Sequence, residues 1–427
     1  EIMPSLVGSE MCIRDRLHAQ RYHHPLAYHG GGVSDRDSSS GGAVHLLPEV
    51  HHSGRHHRRS EGVRIAMDSV LNAAVIGCGA IARKKHIPLA AANSHVHIKA
   101  LCSRSRAPAE VCKAEFGCAD AAVYGNAEDV FARDDIDLVF LCTPNDTHAD
   151  YAVRAMESGK HVICEKPMAS RLTDAERMWA SSQRCGKMLH ISYQNRYTDQ
   201  ALYTKRLIDE GILGDIYYVK AYALRRRAVP TWGAAGRKTQ GGGPLMDIGS
   251  HAIDLALWLS GCFAPEHAMG TAYDRIGRRG SAANHWGSWD PEEYEVEDLA
   301  VGLVRMKNGM TLSIEASYAL NVVEEKEASV DLFGTAAGLE LCQTDGVAIV
   351  QELGDRMVIS RTDIQHTFRG LTPGAVPRSP SQREHDAVVA MLLDGATVDP
   401  AAEQALAVAR IVDGIYRSAS AGCGISF

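Results

Sequence analysis

The sequence predicts an α/β protein in two domains. A doubly wound parallel sheet is expected over residues 67–190, and an α+β domain with a largely antiparallel, open sheet over residues 191–427. Three observations predict this architecture. Short apolar strands alternate with helical stretches in the first domain, which is typical of a parallel sheet. A glycine-rich turn directly follows the first of these strands. In the second domain strands follow one another closely, and an Asn-Gly step at residues 308–309 predicts a hairpin.

The composition is that of a globular protein and argues against several classes. The chain has 427 residues, of which 45% are hydrophobic and 23% charged; this length suits about two domains. A net charge of -7 gives no electrostatic reason to bind DNA or RNA. No apolar run reaches the roughly 18 residues of a membrane-spanning helix. The 11 cysteines include no Cys-x-x-Cys pair, so we expect reduced thiols, a cytoplasmic location and no metal site.

Residues 1–66 differ from the rest of the chain. They contain nine of the 20 histidines and show neither helical nor strand periodicity. Such a segment cannot bury an apolar core, so we expect it to be disordered. Residues 2–16 resemble translated read-through of a sequencing adapter, and we therefore expect the natural start to be Met67.

The first strand is expected at residues 73–76, and a Gly-x-Gly-x-x-Ala turn follows it directly. In this pattern the first glycine makes a tight turn, the second lets the backbone approach a pyrophosphate, and a small third residue lets helix and strand pack. The N-terminus of the following helix favours an anion. We expect the turn to bind a dinucleotide through Gly77, Gly79, Ala80, Ile81 and Ala82.

The second strand, expected at residues 97–102, should end near the adenosine ribose. NAD sites usually place Asp or Glu there to accept from the ribose 2′-hydroxyl. This chain has Ser103 and Arg104 instead. A guanidinium with hydroxyls suits a 2′-phosphate, so the sequence favours NADP over NAD. In the alternative interpretation Arg104 stacks on the adenine and both cofactors bind.

Two polar turns follow later strands, at the carboxyl ends where open α/β sheets bind ligands. We expect strands at residues 136–143 and 161–164, with a helix at residues 150–157 between them. The residues of these turns, with one more residue beyond the next strand, complete the expected cofactor site: Thr143, Pro144, Asn145, His148, Glu165, Lys166 and Asn195.

The turn at Glu165 belongs to a longer series of motifs. These are Gly77-x-Gly79-x-x-Ala82, Thr143-Pro144-Asn145-x-x-His148, Gly159-Lys160-His161-Val162-x-x-Glu165-Lys166-Pro167, and Gly241-Gly242-Gly243-Pro244-x-x-Asp247-x-Gly249-x-His251-x-x-Asp254. Over about residues 70–427 the chain thereby resembles the Gfo/Idh/MocA oxidoreductases, which include glucose–fructose oxidoreductase and inositol dehydrogenase. The resemblance implies a Rossmann first domain and a second domain whose open sheet often makes the oligomer contact. We therefore expect a homodimer or a homotetramer.

The second half supplies a series of short strands. We expect them at residues 216–224, 300–306, 311–318, 328–333, 338–342 and 348–350. Residues 265–295 and 352–382 are expected to be long loops, which are often functional lids.

A polar stripe on one helix carries the expected chemistry. Asp247, His251 and Asp254 are spaced i, i+4 and i+7, so they share one helical face. An imidazole suits the task of taking a hydroxyl proton while hydride leaves the same carbon. Lys166 would place a cation near the substrate oxygen, or would carry the proton itself. Asp247 would orient His251 or accept from a substrate hydroxyl. In the resembled family the matching Lys, Asp and His are catalytic.

Three further residues are expected to contact the substrate. Asp254 would bind a hydroxyl group. Arg196 lies among polar residues after a strand expected to end near the nicotinamide. Trp232 would offer an aromatic face to a sugar ring. It follows the arginines at residues 225–227, which cannot all point inward because side chains alternate along a strand.

The sequence therefore predicts an enzyme, an NAD(P)-dependent oxidoreductase acting on a small carbohydrate or polyol. It would interconvert a secondary alcohol and a ketone, or a sugar and its lactone, on a sugar, glycoside or inositol. Two alternatives stay open. A non-catalytic sugar or cofactor sensor would be expected to lose the lysine–histidine pair, which this chain retains. A redox-neutral glycosidase would use the cofactor transiently and release an aglycone without net cofactor turnover.

Overall fold

The computed structural model describes residues 70–231, 238–342, 346–362, 364 and 378–427. The segment expected to be disordered, residues 1–66, lies outside these residues. Within the described ranges, no helix is both long enough and apolar enough to cross a membrane.

The first sheet has six parallel strands in the order β3-β2-β1-β4-β5-β6. They are β1 (Leu71–Ile76), β2 (Val96–Cys102), β3 (Ala122–Tyr124), β4 (Leu138–Leu141), β5 (His161–Glu165) and β6 (Leu189–Ser192). All four residues of β4 are buried, because both faces of the sheet are covered. This strand order is that of a Rossmann fold, so the predicted doubly wound sheet is confirmed. The predicted domain boundary after residue 190 falls inside β6.

The connections of this sheet are short helices. They are α1 (Ile87–Ala92), α2 (Arg106–Glu115), α3 (Ala127–Phe131), α4 (His148–Glu157) and α5 (Leu172–Cys185). A π-helical turn, Ala82–His86, leads from the glycine turn into α1. Such turns occur often at functional sites.

Among the described residues, the second sheet has nine strands in the order β14-β13-β12-β11-β7-β10-β9-β8-β15. They are β7 (Ile216–Leu224), β8 (Pro265–Tyr273), β9 (Leu299–Met306), β10 (Thr311–Ser317), β11 (Lys326–Gly334), β12 (Ala337–Cys342), β13 (Gly346–Leu353), β14 (Arg356–Thr362) and β15 (Ile425–Ser426). Strands β7 and β10 are parallel, and the other neighbouring pairs are antiparallel. Buried and exposed residues alternate along β9, so one face packs and the other is open. The predicted, largely antiparallel sheet is confirmed.

Among the described residues, the second half of the chain contains four helices: α6 (Asp199–Asp209), α7 (Ser250–Ser260), α8 (Pro380–Leu393) and α9 (Pro400–Ala421). Helices α8 and α9 begin with the same local pattern, a polar cap followed by proline. Ser379 accepts from the Gln382 N–H, and Asp399 accepts from the Ala401 N–H. Helix α9 packs on β8, whereas Val388 of α8 joins the core on one face of the first sheet.

Two segments expected to be long loops contain strands, so the expectation was wrong for those strands; residues 363 and 365–377 of the second segment lie outside the described residues. Strand β8 lies within residues 265–295 and pairs along β9, and β14 lies within residues 352–382 and pairs with β13. Proline, histidine and glycine interrupt the apolar alternation of β8, while β14 is mostly exposed. Both strands form because they pair with a neighbouring strand, and the residue pattern of one strand alone does not show its pairing partner.

Candidate active site

Lys166 follows β5 and contacts the second domain through its side chain. Its Nζ lies 2.5 Å from Oδ1 of Asp247 and donates to the Asp247 carbonyl oxygen at 3.1 Å. The Lys166 side chain is 18% exposed and the Asp247 side chain 35% exposed. The sequence placed these two residues in one site, and the structure brings them into contact at a position that a ligand can reach.

Asp247 is also bound by a residue that the sequence analysis did not name. The hydroxyl of Tyr318, directly after β10, donates to Oδ2 of Asp247 at 2.5 Å. Burial favours the neutral acid, but Lys166 and Tyr318 together hold the pKa of Asp247 below its usual range. Asp247 is therefore a carboxylate with one oxygen on Lys166 and the other on Tyr318.

The helix that carries Asp247 and His251 is not a single α-helix, contrary to the prediction. Asp247 lies in a π-helical turn, Leu245–Gly249, and α7 begins only at the next residue. The carboxylate of Glu297 accepts from the backbone N–H groups of Gly243 and Leu245, at 2.9 and 3.2 Å. These bonds from a distant segment fix the start of the turn, which explains why residue spacing alone did not show the change of helix type.

His251 lies on the first turn of α7. Its Nδ1 is buried and has no hydrogen-bond partner among the described residues. Its ring meets Tyr193 edge-on, with ring centroids 5.7 Å apart and an interplanar angle of 85°. Burial and the cation of Lys166 lower the pKa of His251 to about 3, although Asp247 acts in the opposite direction. His251 is therefore a neutral imidazole at neutral pH.

Asp254 and Arg196 form a buried ion pair with each other. The Arg196 Nε and Nη2 lie 2.8 and 2.5 Å from the two carboxylate oxygens of Asp254, and Nη1 lies 2.5 Å from Oε1 of Gln404. Asp254 is fully buried. A bidentate pair of this kind orients both groups toward one another. These two expected substrate residues are thus paired with each other in the interior, and their contact with substrate stays a prediction.

The glycine turn has the shape that a dinucleotide requires. Gly77 has φ +95°, and a Cβ there would lie 2.5 Å from the Cys142 carbonyl oxygen. A Cβ on Gly79 would meet no atom within 4 Å, so the space above this residue is open. Ala82 is fully buried, as helix packing demands, whereas Ala80 and Ile81 are exposed.

The second polar turn lies after β4, beside the turn that contains Lys166. Pro144 is exposed, and the amide of Asn145 donates to the Gln240 carbonyl at 3.0 Å. His148 is fully buried, and its ring nitrogens lie 2.9 Å from the carbonyl oxygens of Thr143 and Pro167. A neutral imidazole has one N–H, so one of these carbonyls accepts at a time. The buried His148 side chain thus links the turn after β4 to the turn that contains Lys166.

The other expected cofactor and substrate residues are dispersed. Ser103 and the exposed Arg104 directly follow β2, as predicted. Asn195 is half-buried in a short turn after β6. Glu165 points into the interior, where it is 7% exposed. Trp232 lies outside the described residues.

Sequence reasoning missed Tyr318 and Glu297, which contact the segment around Asp247. Both precede or follow a strand of the second sheet and are far from Asp247 in the chain. A polar residue at a strand end was the available signal for Tyr318, but no motif points to it. For Glu297 no local signal exists, because its partners are backbone N–H groups.

Comparisons with known proteins agree with this architecture. The N-terminal model of the Gfo/Idh/MocA family, an oxidoreductase family with an NAD-binding Rossmann fold, matches residues 71–193. The model of the family's C-terminal alpha/beta domain matches residues 205–427. A solved structure of levoglucosan dehydrogenase in complex with NADH has a TM-score of 0.71 at 21% identity, over 84% of this chain and 99% of that chain. This likeness shows the shared fold.

Two curated relatives are similar in sequence. A D-glucoside 3-dehydrogenase of Escherichia coli (strain K12) is 30% identical over 355 residues, which cover 83% of this chain and 97% of that protein. A dTDP-3,4-didehydro-2,6-dideoxy-alpha-D-glucose 3-reductase of Streptomyces violaceoruber is 32% identical over 194 residues, 45% of this chain and 55% of that protein. With both family domains matched over most of its length, the chain belongs to the Gfo/Idh/MocA family of oxidoreductases.

Proposed function

We propose that this protein is an NAD(P)-dependent dehydrogenase that oxidises a secondary hydroxyl of a glucoside to a ketone, at carbon 3 of the sugar. One observation carries the proposal. An ammonium group has three N–H donors, and Lys166 uses two of them on Asp247, which leaves one for a substrate oxygen. Lys166 also acts electrostatically on the neutral imidazole of His251, so the pair suits a hydroxyl that must lose a proton.

The roles of the side chains follow from their contacts. Asp247 and Tyr318 fix the Lys166 ammonium, which stabilises negative charge on the substrate oxygen. We assign acceptance of the hydroxyl proton to His251, whose imidazole is neutral at neutral pH. A substrate hydroxyl would also give the buried Nδ1 of His251 a hydrogen-bond partner, which it lacks among the described residues.

The glycine turn fits a nicotinamide dinucleotide, because the open space above Gly79 allows a pyrophosphate to approach the backbone. Gly77, Gly79, Ala80 and Ile81 would hold the phosphates. The nicotinamide would take up the hydride. The exposed Arg104 after β2 supports NADP over NAD, since a guanidinium can bind a 2′-phosphate.

The sugar and its position are inferred from the relatives. The names of the two curated proteins place oxidation or reduction at carbon 3 of a glucose-type sugar. The first of them is matched over 97% of its length. Its substrate class is the one to test first on this chain.

The test is oxidation of methyl α- and β-D-glucoside with NAD or NADP, followed by reduction of the product with borodeuteride. Deuterium found at C3 by NMR supports the proposal, and deuterium at another carbon corrects the position. His251→Asn should lower kcat by about 100-fold or more. Lys84→Met, at an exposed lysine, is the control for an unrelated surface substitution and should leave kcat unchanged.

The same assay separates the alternatives. Release of methanol without net reduction of the cofactor would replace the dehydrogenase by a redox-neutral glycosidase. Binding of cofactor and sugar with no turnover on any glucoside, sugar or inositol would leave the sensor as the function.

We also propose that the protein is a homodimer or homotetramer whose contact is the open face of the second sheet. On this face Met269 is 61% exposed and Leu303 is 52% exposed, and they are neighbours on β8 and β9. Exposed apolar groups of this kind favour association. Light scattering of Leu303→Lys should report a smaller assembly than wild type; an unchanged mass would place the contact elsewhere. The ten described cysteines are free thiols, which supports a cytoplasmic location.

A further inference from the structure

Six charged or polar side chains form a second cluster on the inner side of the turn at Lys166. We call it the buried charge cluster, and each of its members is at most 8% exposed. Its members come from five separate segments: Lys85 and His86, Glu165, His190, Glu384, and Asp399. None of them was assigned a part in this arrangement by the sequence.

Lys85 lies at the centre of this cluster, between two carboxylates. Its Nζ is 3.1 Å from Oε1 of Glu165 and 3.3 Å from Oε2 of Glu384. Nε2 of His86 lies 2.7 Å from the same Oε1 of Glu165. Burial favours the neutral acid, but Lys85 and His86 keep the pKa of Glu165 well below its usual range.

The other oxygen of Glu165 is bound to the backbone of the proposed catalytic lysine. Oε2 of Glu165 accepts from the Lys166 N–H at 3.2 Å. Two adjacent residues of this turn therefore have different partners. The Glu165 carboxylate binds Lys85, and the Lys166 ammonium binds Asp247. A change in the Glu165 carboxylate would therefore reach the backbone of Lys166 through one hydrogen bond.

Removing Lys85 would leave two buried carboxylates without the cation between them. One of them would then have to move apart or take a proton, because unpaired buried charge is strongly unfavourable. Glu384 has a second partner, His190, whose Nε2 lies 3.4 Å from Oε1. Glu165 retains His86.

We infer that Lys85 is a positioning residue for the reaction: by holding Glu165 between itself and His86, it fixes the backbone of Lys166 and so the place of the Lys166 ammonium. The inference rests on the proposed role of Lys166. It assigns a function to Lys85, whose place in the π-helical turn after the glycine loop would link that loop to the turn of the catalytic lysine.

The test compares Lys85→Met with Lys84→Met, a neighbour with the same charge change but an exposed side chain. Hydrogen exchange of the Lys166 amide, followed by mass spectrometry, needs no substrate. We expect this amide to exchange at least about 10-fold faster in Lys85→Met, since its acceptor is released. We expect kcat to fall about 100-fold, as for other small misplacements of a catalytic group, with KM and NADPH affinity within about threefold of wild type.

The double variant Lys85→Met/Glu384→Gln keeps the inference falsifiable if the single variant fails to fold. It removes the positive charge of Lys85 and the negative charge of Glu384. Glu165 then keeps its bond to His86, and the carboxylate of Glu384 no longer lies near it. We expect it to regain about 10-fold of the lost kcat and most of the amide protection. Wild-type kcat and wild-type protection in either folded variant would overturn the inference. Faster amide exchange in a protein whose wild type turns over no substrate would instead sink the proposed function and leave the positioning role standing.

Discussion

The turn at Glu165 and Lys166 separates two polar clusters that differ in access to solvent. The open cluster consists of Lys166, Asp247, His251 and Tyr318, and its lysine and aspartate are partly exposed. The buried charge cluster on the other side is closed to solvent. Charges in the open cluster have hydrogen-bonding capacity left for a ligand, whereas those in the buried cluster are paired within the protein. The difference indicates that one cluster reacts and the other holds it in place.

The largest expected effect on kcat comes from a substitution in the open cluster. Lys166→Met removes the cation from Asp247 and from the substrate oxygen, so kcat on the glucoside should fall by about 1,000-fold. Steady-state kinetics with a thermal melt will show it. Because Asp247 keeps Tyr318 and some access to solvent, the melting temperature should fall less than in a variant of the buried charge cluster. A variant that unfolds, or one that keeps its kcat, would contradict the division into a reacting and a holding cluster.

The second effect concerns stability and lies in the buried cluster. His190 lies 2.5 Å from Asp399 through Nδ1, and Glu384 is its other partner. Burial lowers the pKa of His190, but the two carboxylates more than compensate and raise it to about 9. Because the pKa of His190 is higher in the folded protein than in the unfolded chain, where it is about 6.5, the ion pair adds to the free energy of unfolding. This addition is fully present below pH 6.5 and is lost as the pH rises through 9. It amounts to on the order of 3 kcal/mol.

The variant His190→Gln tests whether this stabilisation decreases as the pH rises. Urea unfolding of wild type and variant at pH 6 and pH 9.5 should give a difference in unfolding free energy that shrinks toward the higher pH. A difference independent of pH would show that His190 is uncharged in the folded protein.

A smaller effect sharpens the comparison within the open cluster. Tyr318→Phe removes one hydrogen bond to Asp247 but leaves Lys166 in place. We expect kcat to fall about 10-fold, since a hydrogen bond to a charged group contributes roughly 1.5–3 kcal/mol. The pKa of Asp247 should rise toward its usual value, which moves the acid limb of the kcat profile to higher pH. An unchanged profile would mean that Lys166 alone holds this carboxylate.

The smallest expected effect is at the exposed edge of the cofactor site. Arg104→Ala should weaken NADPH binding about fivefold, as for other exposed charge contacts, and leave NADH binding unchanged. Calorimetric titration with each cofactor measures both. Equal losses for the two cofactors would favour stacking of Arg104 on the adenine, and a preference of wild type for NADH would remove the argument for NADP.

Much of the fold was predictable because its signals are local. The strand at residues 216–224 was expected with the bounds that the structure has, and the glycine turn after β1 lies where its pattern indicated. Strands β8 and β14 were missed because their pairing, and not their own alternation, defines them. For the candidate site, the motifs named Lys166, Asp247 and His251, but the hydrogen bond from Tyr318 joins residues 71 positions apart.

The amino-acid sequence determined the two sheets, the glycine turn and the family, since each depends on residues close together in the chain. Only the tertiary structure decided which charges are buried. No sequence motif pointed to Lys85 or Glu384, yet they meet because α8 returns to pack on the first sheet. Asp254 and Arg196, both expected to bind substrate, form an ion pair with one another in the interior. The physical reason is that burial and ion pairing belong to surfaces brought together by folding, and no local pattern encodes the partner.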